Sequence, residues 1–318
     1  MLLAIDLGGT KLSSAIFSAD GAIQNRSYQL LAGLEGAAIG ALMLKEIDKQ
    51  LLFASKNQIQ IQAIGVSVPG ISDQKKRTVW APNIPGWEQY PLFDEISSLN
   101  KGLALSIESD RSCYILGEAW QGAAKGAEDA IFLAFGTGIG AGILANGQVL
   151  RGAHDIAGAI GWLALAPSYQ TKYQSCGQFE YYCSGEGIAR LAQEKLSQQE
   201  NYTGPLKGLE KLTAYEVFEA YAQADPLAQL IFDQCIEYWG MVVANMVSLF
   251  NPQKIILGGG VFGPAEIFIT KIHEEAKKWA QPISITQYEL LASALGNDAG
   301  LYGAAYAALK KLEKNNLR

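Results

Sequence analysis

The feature that most constrains the fold is a pattern of strand, glycine turn and strand that occurs twice in the 318-residue chain. The first copy, LLAIDLGGTKLSSAIF from residue 2, ends at Asp20-Gly21, and the second, IFLAFGTGIGAGILA from residue 131, ends at Asn146-Gly147. Asn, Asp and Gly tolerate positive φ, so both dipeptides are typical of hairpin turns. One pattern in two places predicts a chain built from two related halves.

Strands and helices alternate in the rest of the chain, which predicts an α/β fold with helices on both faces of the sheets. The assignments rest on apolar spacing and on glycine or proline at segment ends. They are a helix in residues 35–55, strands in 61–70 and 102–110, a helix from 111, mostly helical residues 183–247, a strand running into three glycines at 258–260, and a helix in 297–318.

Charge and hydropathy exclude several classes of partner. Lys and Arg number 25 against 31 acidic residues, and no basic run is suited to nucleic acid or anionic lipid. No segment has the roughly 18 consecutive apolar residues of a membrane span. Because the first residues enter a strand without a signal-like leader, we expect a cytoplasmic protein with no membrane or nucleic-acid partner.

The cysteines and histidines give weak signals. Four cysteines, at 113, 176, 183 and 235, are too scattered for a disulfide framework and are interpreted as reduced thiols. Cys176 and Cys183 alone are a weak zinc signal, since four ligands are usual. His154 and His273 are interpreted as surface or packing residues.

The glycine turns suggest phosphate binding, because glycine permits close approach and free backbone N–H groups bind anions. A carboxylate beside such a turn, here Asp6, can hold Mg²⁺ through water, while Thr10 and Lys11 can contact phosphate oxygens. The alternative is an ordinary hairpin with Asp6 as a capping side chain and Lys11 solvated. Neither the GxxxxGK[ST] pattern nor a Rossmann GxGxxG fits, since GTGIGAG opens a strand instead of a helix.

Several motifs, in order and spacing, resemble the ROK family of repressors and sugar kinases. They are AIDLGGTK, SVPG, APNIPGW, ESD, AFGTGIGAGILANGQVLRGAHDIAG, LGGGV and LGNDAGLYGAA. The resemblance implies two ribonuclease-H-like (actin-like ATPase) domains around a central cleft that holds MgATP and a sugar. It implies a small domain of residues 1–112 plus the C-terminal helix 297–318, a larger domain of 113–296, and a homodimer.

The resemblance also implies roles for individual residues, carried over by position. On the ATP side these are Asp6, Gly8, Gly9, Thr10 and Lys11, then Gly136, Thr137 and Gly138, with Gly258, Gly259 and Gly260 near the adenosine, and Asp6 as the Mg²⁺ carboxylate. On the sugar side they are Gly70, Asn83, Ser109, Asp110 and Glu180, with Asp110 as the general base.

Asp110 has two interpretations. A sugar hydroxyl is a poor nucleophile, so phosphoryl transfer needs a carboxylate that accepts its proton and orients it. Since Asp110 ends a strand and opens a helix, it could instead be a helix N-cap. Both roles can coexist.

Three departures from the family pattern concern the sugar side. The Glu and His of the motif G-E-x-G-H are replaced by Ala159 and Trp162, and the Asn before the catalytic Asp is Ser109. The zinc motif C-x-C-G-x-x-G-C retains only Cys176, with Gln174 at its first position, so no structural zinc is expected.

These observations predict an ATP-dependent sugar kinase acting on a hexose or related sugar. The altered pocket keeps open a non-catalytic nucleotide or sugar sensor. A DNA-binding repressor is disfavoured, since the phosphate strand begins at residue 2. Trp162 is either core, filling the space of the lost zinc module, or an apolar wall for the substrate.

Overall fold

The computed structural model describes residues 1–99 and 102–316. Its first half consists of β1 (Leu2–Leu7), β2 (Lys11–Phe17), β3 (Ile23–Leu30), α1 (Ala37–Lys56), β4 (Ala63–Val68), β5 (Ile71–Asp73), β6 (Thr78–Trp80), α2 (Leu92–Leu99), β7 (Ala104–Ser109) and α3 (Asp110–Gln121). The second half consists of β8 (Ala130–Phe135), β9 (Ile139–Ala145), β10 (Gln148–Val149), α4 (Gln178–Cys183), α5 (Gly185–Ser197), α6 (Ala214–Ala222), α7 (Pro226–Phe250), β11 (Lys254–Gly258), α8 (Ile269–Lys277), β12 (Glu289–Ala292) and α9 (Ala299–Asn316).

Two five-stranded mixed sheets have the same arrangement. Their strand orders are β3-β2-β1-β4-β7 and β10-β9-β8-β11-β12. In each, the first strand is antiparallel to the second and parallel to the fourth strand of that half. The prediction of two related α/β halves of ribonuclease-H-like topology is confirmed.

Strand β1 shows why helices cover both faces of the first sheet. Its side chains alternate: Leu3 and Ile5 belong to a core that includes α1, whereas Leu2 and Ala4 pack with α9. A strand buried on both faces reads as a continuous apolar run, which is how LLAIDL appears in the sequence. Its one polar residue, Asp6, therefore requires a specific explanation.

Helices α3 and α9 lie between the two sheets. Leu301 and Ala304 of α9 pack on the first sheet, while Ala307 of α9 and Ile115 of α3 pack with Phe132 of the second. The contacts of α9 with β1, β4 and β7 support our proposal that the C-terminal helix belongs to the N-terminal domain. No helix in the described part of the chain is long and apolar enough to cross a bilayer.

Glycines bring these helices close to their neighbours. A Cβ on Gly303 of α9 would lie 1.8 Å from the Cys113 carbonyl oxygen of α3, and a Cβ on Gly117 of α3 would lie 2.4 Å from the Ala299 carbonyl oxygen. On the sheet side, a Cβ on Gly65 of β4 would lie 1.8 Å from the Ala304 carbonyl oxygen. Because all three obstacles are backbone atoms, α9 packs closely only with glycine at these positions.

We expect Gly303→Ala to destabilise the protein. The methyl group must push α3 and α9 apart, and such overpacking costs about 1–3 kcal/mol or more. The gain in helix propensity, about 1 kcal/mol, offsets only part of this. Urea denaturation should show a lower midpoint. Gly263→Ala is the matched control, since its new Cβ meets nothing closer than 3.9 Å and φ is −73°. Equal midpoints for the two variants would contradict the close-approach argument.

Candidate active site

The carboxyl ends of the parallel strands β1, β4 and β7 meet at one edge of the first sheet. Asp6 lies at this edge, where it is paired with Ser67 on the neighbouring strand β4. The pKa of Asp6 is raised to about 6, mainly by burial and also by the negative charges of Asp110 and Asp298, although the Ser67 hydroxyl and the Lys11 ammonium favour the ionised form. The edge therefore concentrates negative charge in a partly desolvated place.

Asp110 is the first residue of α3, and the cap of that helix is its neighbour. The Ser109 hydroxyl accepts a hydrogen bond from the Ser112 backbone N–H (3.3 Å) and lies 2.9 Å from the Ser112 hydroxyl. The interpretation of Asp110 as the N-cap is therefore wrong. The Asp110 carboxylate accepts instead from the Arg111 backbone N–H at 2.7 Å.

The environment of Asp110 favours a more basic carboxylate. Burial raises its pKa above the ordinary value, while the Arg111 guanidinium, the Arg111 backbone N–H and the Tyr114 hydroxyl lower it. Tyr114 lies one helical turn after Asp110, so both side chains share one face of α3. The sequence analysis did not identify Tyr114, although its spacing of four residues from Asp110 on a predicted helix was a signal that could have found it.

The first glycine turn joins β1 to β2. Leu7 pairs with Leu12, and the Gly8 N–H donates to the Lys11 carbonyl at 2.9 Å. Gly9 and Thr10 are exposed at the tip. Nothing lies within 4 Å of a Cβ built on Gly9, so the turn leaves room for a ligand.

The second and third glycine segments adjoin each other. Residues 136–138 connect β8 to β9, with the Gly136 N–H donating to the Gly138 carbonyl at 2.9 Å. Gly258 ends β11, and Gly259, at φ +91°, lies so close to β8 that a Cβ would be 2.4 Å from the Phe135 carbonyl oxygen. Thr137, Gly138, Gly259 and Gly260 are exposed.

Glu180 of α4 reaches the second turn. Its carboxylate accepts from the Ile139 backbone N–H at 2.6 Å. A Cβ on Gly138 or on Gly161 would lie 2.9 Å from its Oε2, so the carboxylate lies between the turn and the segment that contains Gly161. Burial raises the pKa of Glu180.

A loop after β6 presents Asn83. Trp87 anchors this loop, because it is fully buried and its Nε1 donates to the Gly36 carbonyl at 2.9 Å. Its ring stacks on the Tyr90 ring, with 4.4 Å between the ring centroids. Asn83 itself is exposed. Gly70, at φ +125°, precedes this region, and a Cβ there would lie 2.1 Å from the Trp80 carbonyl oxygen, so glycine is required.

Trp162 lies at the surface. Its exposed fraction is 58%. With Tyr169, Tyr173 and neighbouring residues it lines an open cleft of about 410 Å³. The interpretation of Trp162 as a core residue is therefore wrong.

Other contacts hold the segment between Trp162 and α4. The Gln178 side chain accepts from the Leu165 and Ala166 backbone N–H groups at 2.7 and 3.0 Å. Lys172 pairs with Glu194 at 3.0 Å and lies 4.9 Å from the centre of the Tyr181 ring. The segment is thus attached to the residues that flank Glu180.

Cys176 lies beside a cation. Its Sγ lies 3.5 Å from Nη1 of Arg190, a cation that opposes metal binding. Among residues 1–99 and 102–316, no group of three or more His, Cys, Asp or Glu side chains is placed to hold a metal ion. His154 is exposed, and His273 packs with its Nδ1 2.9 Å from the Tyr288 hydroxyl.

An ion pair joins the two halves close to Asp110. Glu108 of β7 is buried, and the Arg151 guanidinium from the loop after β10 contacts both of its carboxylate oxygens at 2.5 Å. The sequence analysis missed this pair. Glu108 stands within the quoted ESD motif, but nothing in the sequence identifies its partner.

Comparisons with known proteins agree with one another. The model of the ROK family matches residues 2–311. A glucokinase of Halalkalibacterium halodurans is 31% identical, over 99% of this chain and 96% of that protein. A glucokinase of Thermotoga maritima is 30% identical, over 96% of each. A crystal structure of a ROK family glucokinase from Streptomyces griseus, in complex with glucose and AMPPNP, is 28% identical with a TM-score of 0.75, over 97% of this chain and 99% of that one.

We expect the purified protein to contain no stoichiometric zinc, because a structural site needs four ligands and Cys176 is paired with a cation. Elemental analysis measures this directly, and a chelator should leave the melting temperature unchanged. About one zinc per chain would contradict the alignment of residues 174–183.

Proposed function

We propose that this chain, which belongs to the ROK family, is an ATP-dependent sugar kinase that transfers the γ-phosphate to a hydroxyl of a hexose or related sugar. The observation that carries the proposal is Asp110, a carboxylate of raised pKa at the sheet edge that also holds Asp6 and the first glycine turn. The relatives' glucokinase names support the same reaction class.

Asp110 is assigned the general base. It accepts the proton of the sugar hydroxyl while that oxygen attacks the γ-phosphorus in line. Its raised pKa makes it a better proton acceptor than an ordinary aspartate. The hydrogen bond from the Arg111 N–H and the nearby Tyr114 hydroxyl fix the direction of the carboxylate.

The glycine segments are assigned to ATP. Exposed N–H groups in the first two turns would bind phosphate oxygens, with Thr10 and Lys11 in the first turn and Thr137 in the second. The third glycine segment, Gly258, Gly259 and Gly260, adjoins the second turn. This position supports its assignment to the adenosine part of ATP.

Mg²⁺ fits beside Asp6. This ion usually keeps several waters and takes one or two carboxylates plus substrate phosphates, so a cluster of three protein ligands is not needed. The negative potential from Asp298 and Asp110 around Asp6 favours a cation. Bound there through water, Mg²⁺ would neutralise charge on the transferring phosphate.

The sugar is assigned to Gly70, Asn83, Ser109, Asp110 and Glu180. Oε2 of Glu180 approaches the Ile139 N–H, so we assign its Oε1 to a sugar hydroxyl. Ala159 offers no polar side chain, and Trp162 exposes an indole where the family motif has histidine. These two replacements support an unusual sugar preference, with glucose a weaker substrate.

A sensor that binds nucleotide or sugar without catalysis is the second candidate, favoured only by Ala159 and Trp162. An ATP-turnover assay with a sugar panel separates it from the kinase. The homodimer and the cytoplasmic location stay predictions.

Asp110→Asn should lower kcat by about 10²–10⁴-fold, the range of a positioned acid–base group, while ATP affinity stays nearly unchanged. In the wild type, kcat/KM should fall as the pH falls through the raised pKa of Asp110, since protonation removes the base. Steady-state kinetics across pH tests both. Asp233→Asn, on the exposed side of α7, is the control. A wild-type rate in Asp110→Asn would exclude the assigned role.

The double variant Ala159→Glu, Trp162→His should shift preference towards glucose. Each restored hydrogen-bonding partner is worth roughly 1–3 kcal/mol to a buried hydroxyl, or about 5-fold to 160-fold in kcat/KM. The measurement is a panel of glucose, mannose, fructose, N-acetylglucosamine and N-acetylmannosamine. Efficient glucose turnover by the wild type would show that the altered-pocket argument is wrong.

A further inference from the structure

A second cavity, of about 450 Å³, opens between the two halves of the molecule. Its size falls within the roughly 300–1,000 Å³ of small-molecule sites. One wall is the β5–β6 hairpin with the loop that follows it, and the other is the loop at residues 153–155. None of the residues assigned above to ATP or sugar lines it.

The cavity adjoins the sugar residues. Ile71, which lines it, follows Gly70 directly, and the Trp80 carbonyl lies against Gly70. Asn83 is on the loop that leaves Trp80. The facing loop continues into the segment of Ala159 and Trp162. Both walls of the cavity therefore continue along the chain into segments that hold residues assigned to the sugar or the positions of the altered motif.

The hairpin wall is firmly attached to β7. The Ser72 hydroxyl and the Gln74 amide each donate to the Ile107 carbonyl of β7 at 2.7 Å. Ile71 pairs with Trp80 across the hairpin. Because β7 leads into Asp110, this wall keeps a fixed position relative to the assigned base.

The lining has the chemistry of a carbohydrate site. Trp80 exposes 44% of its surface, and an indole offers a broad apolar face for the C–H side of a pyranose ring. Around it lie groups that can donate to or accept from hydroxyls. They are Thr78, Glu88, Gln89, His154 and Asp155.

The charges of the lining favour a neutral ligand. Lys75 and Lys76 are offset by Asp73, Glu88 and Asp155. Asp73 is already engaged, since it accepts from the Lys75 and Lys76 backbone N–H groups at 3.0 and 2.9 Å and pairs with the Lys76 ammonium at 3.6 Å. A phosphorylated or strongly basic substituent has no concentrated countercharge here, whereas a polyhydroxyl ring does not need one.

We infer that this cavity is a subsite for a second glycosyl unit, linked to the sugar at the end remote from the phosphorylated hydroxyl. The inference rests on the proposed sugar kinase and names its substrate class as disaccharides or related glycosides. Contacts to the second ring would compensate for the hydrogen bonds lost at Ala159 and Trp162.

The test compares Trp80→Ala with the wild type on maltose, cellobiose, diacetylchitobiose and glucose. At least one disaccharide should have a higher kcat/KM than glucose in the wild type. Trp80→Ala should lower that value by about tenfold or more, from loss of ring stacking, with glucose unchanged, and Trp80→Phe should restore part of it. Trp279→Ala is the matched control, since that indole is 58% exposed on the other half of the molecule.

Calorimetric titration of the same disaccharides without ATP separates the two proposals. If glucose is phosphorylated but no disaccharide is bound or phosphorylated, the subsite is wrong and the kinase stands. If a disaccharide binds through Trp80 but no sugar is phosphorylated, the subsite stands and the kinase is wrong. Equal losses for glucose and disaccharide in Trp80→Ala would also overturn the subsite.

Discussion

The close packing of α3 and α9 between the two sheets is the constraint on which the site depends. Gly303 and Gly117 allow the two backbones to approach to distances that any Cβ would prevent. Both helices begin at the sheet edge that holds Asp6: α3 starts at Asp110, and α9 starts where a Cβ on Gly300 would lie 2.7 Å from Asp6 Oδ1. The contact therefore sets the positions of two carboxylates at once.

That placement has an electrostatic consequence. Asp6 and Asp110 interact with each other, and burial makes both harder to ionise. Burying two carboxylates close together costs stability unless a cation or a bound proton offsets their charge. Groups of shifted pKa concentrate at functional sites. Lys11, Arg111 and the Ser67 hydroxyl moderate the repulsion without neutralising it.

The sugar side is built differently. The hydrogen bond from the Ile139 N–H positions Glu180. The segment between Trp162 and α4 is held by the Gln178 side chain and by the ion pair of Lys172 with Glu194. Ala159 and Trp162 stand where the family motif has glutamate and histidine.

The sequence by itself determined the two glycine turns, the alternation of strands and helices, and the position of Asp110 at a strand end, because these are local signals read from neighbouring residues. The β1 and β8 hairpins and the helix at 37–56 closely follow the predicted segments. Only the tertiary structure decided that Trp162 faces outwards, that Arg151 pairs with Glu108, and that a cavity opens beside Trp80. The physical reason is that each depends on how residues distant in sequence pack across the two halves, and no local pattern encodes that distance.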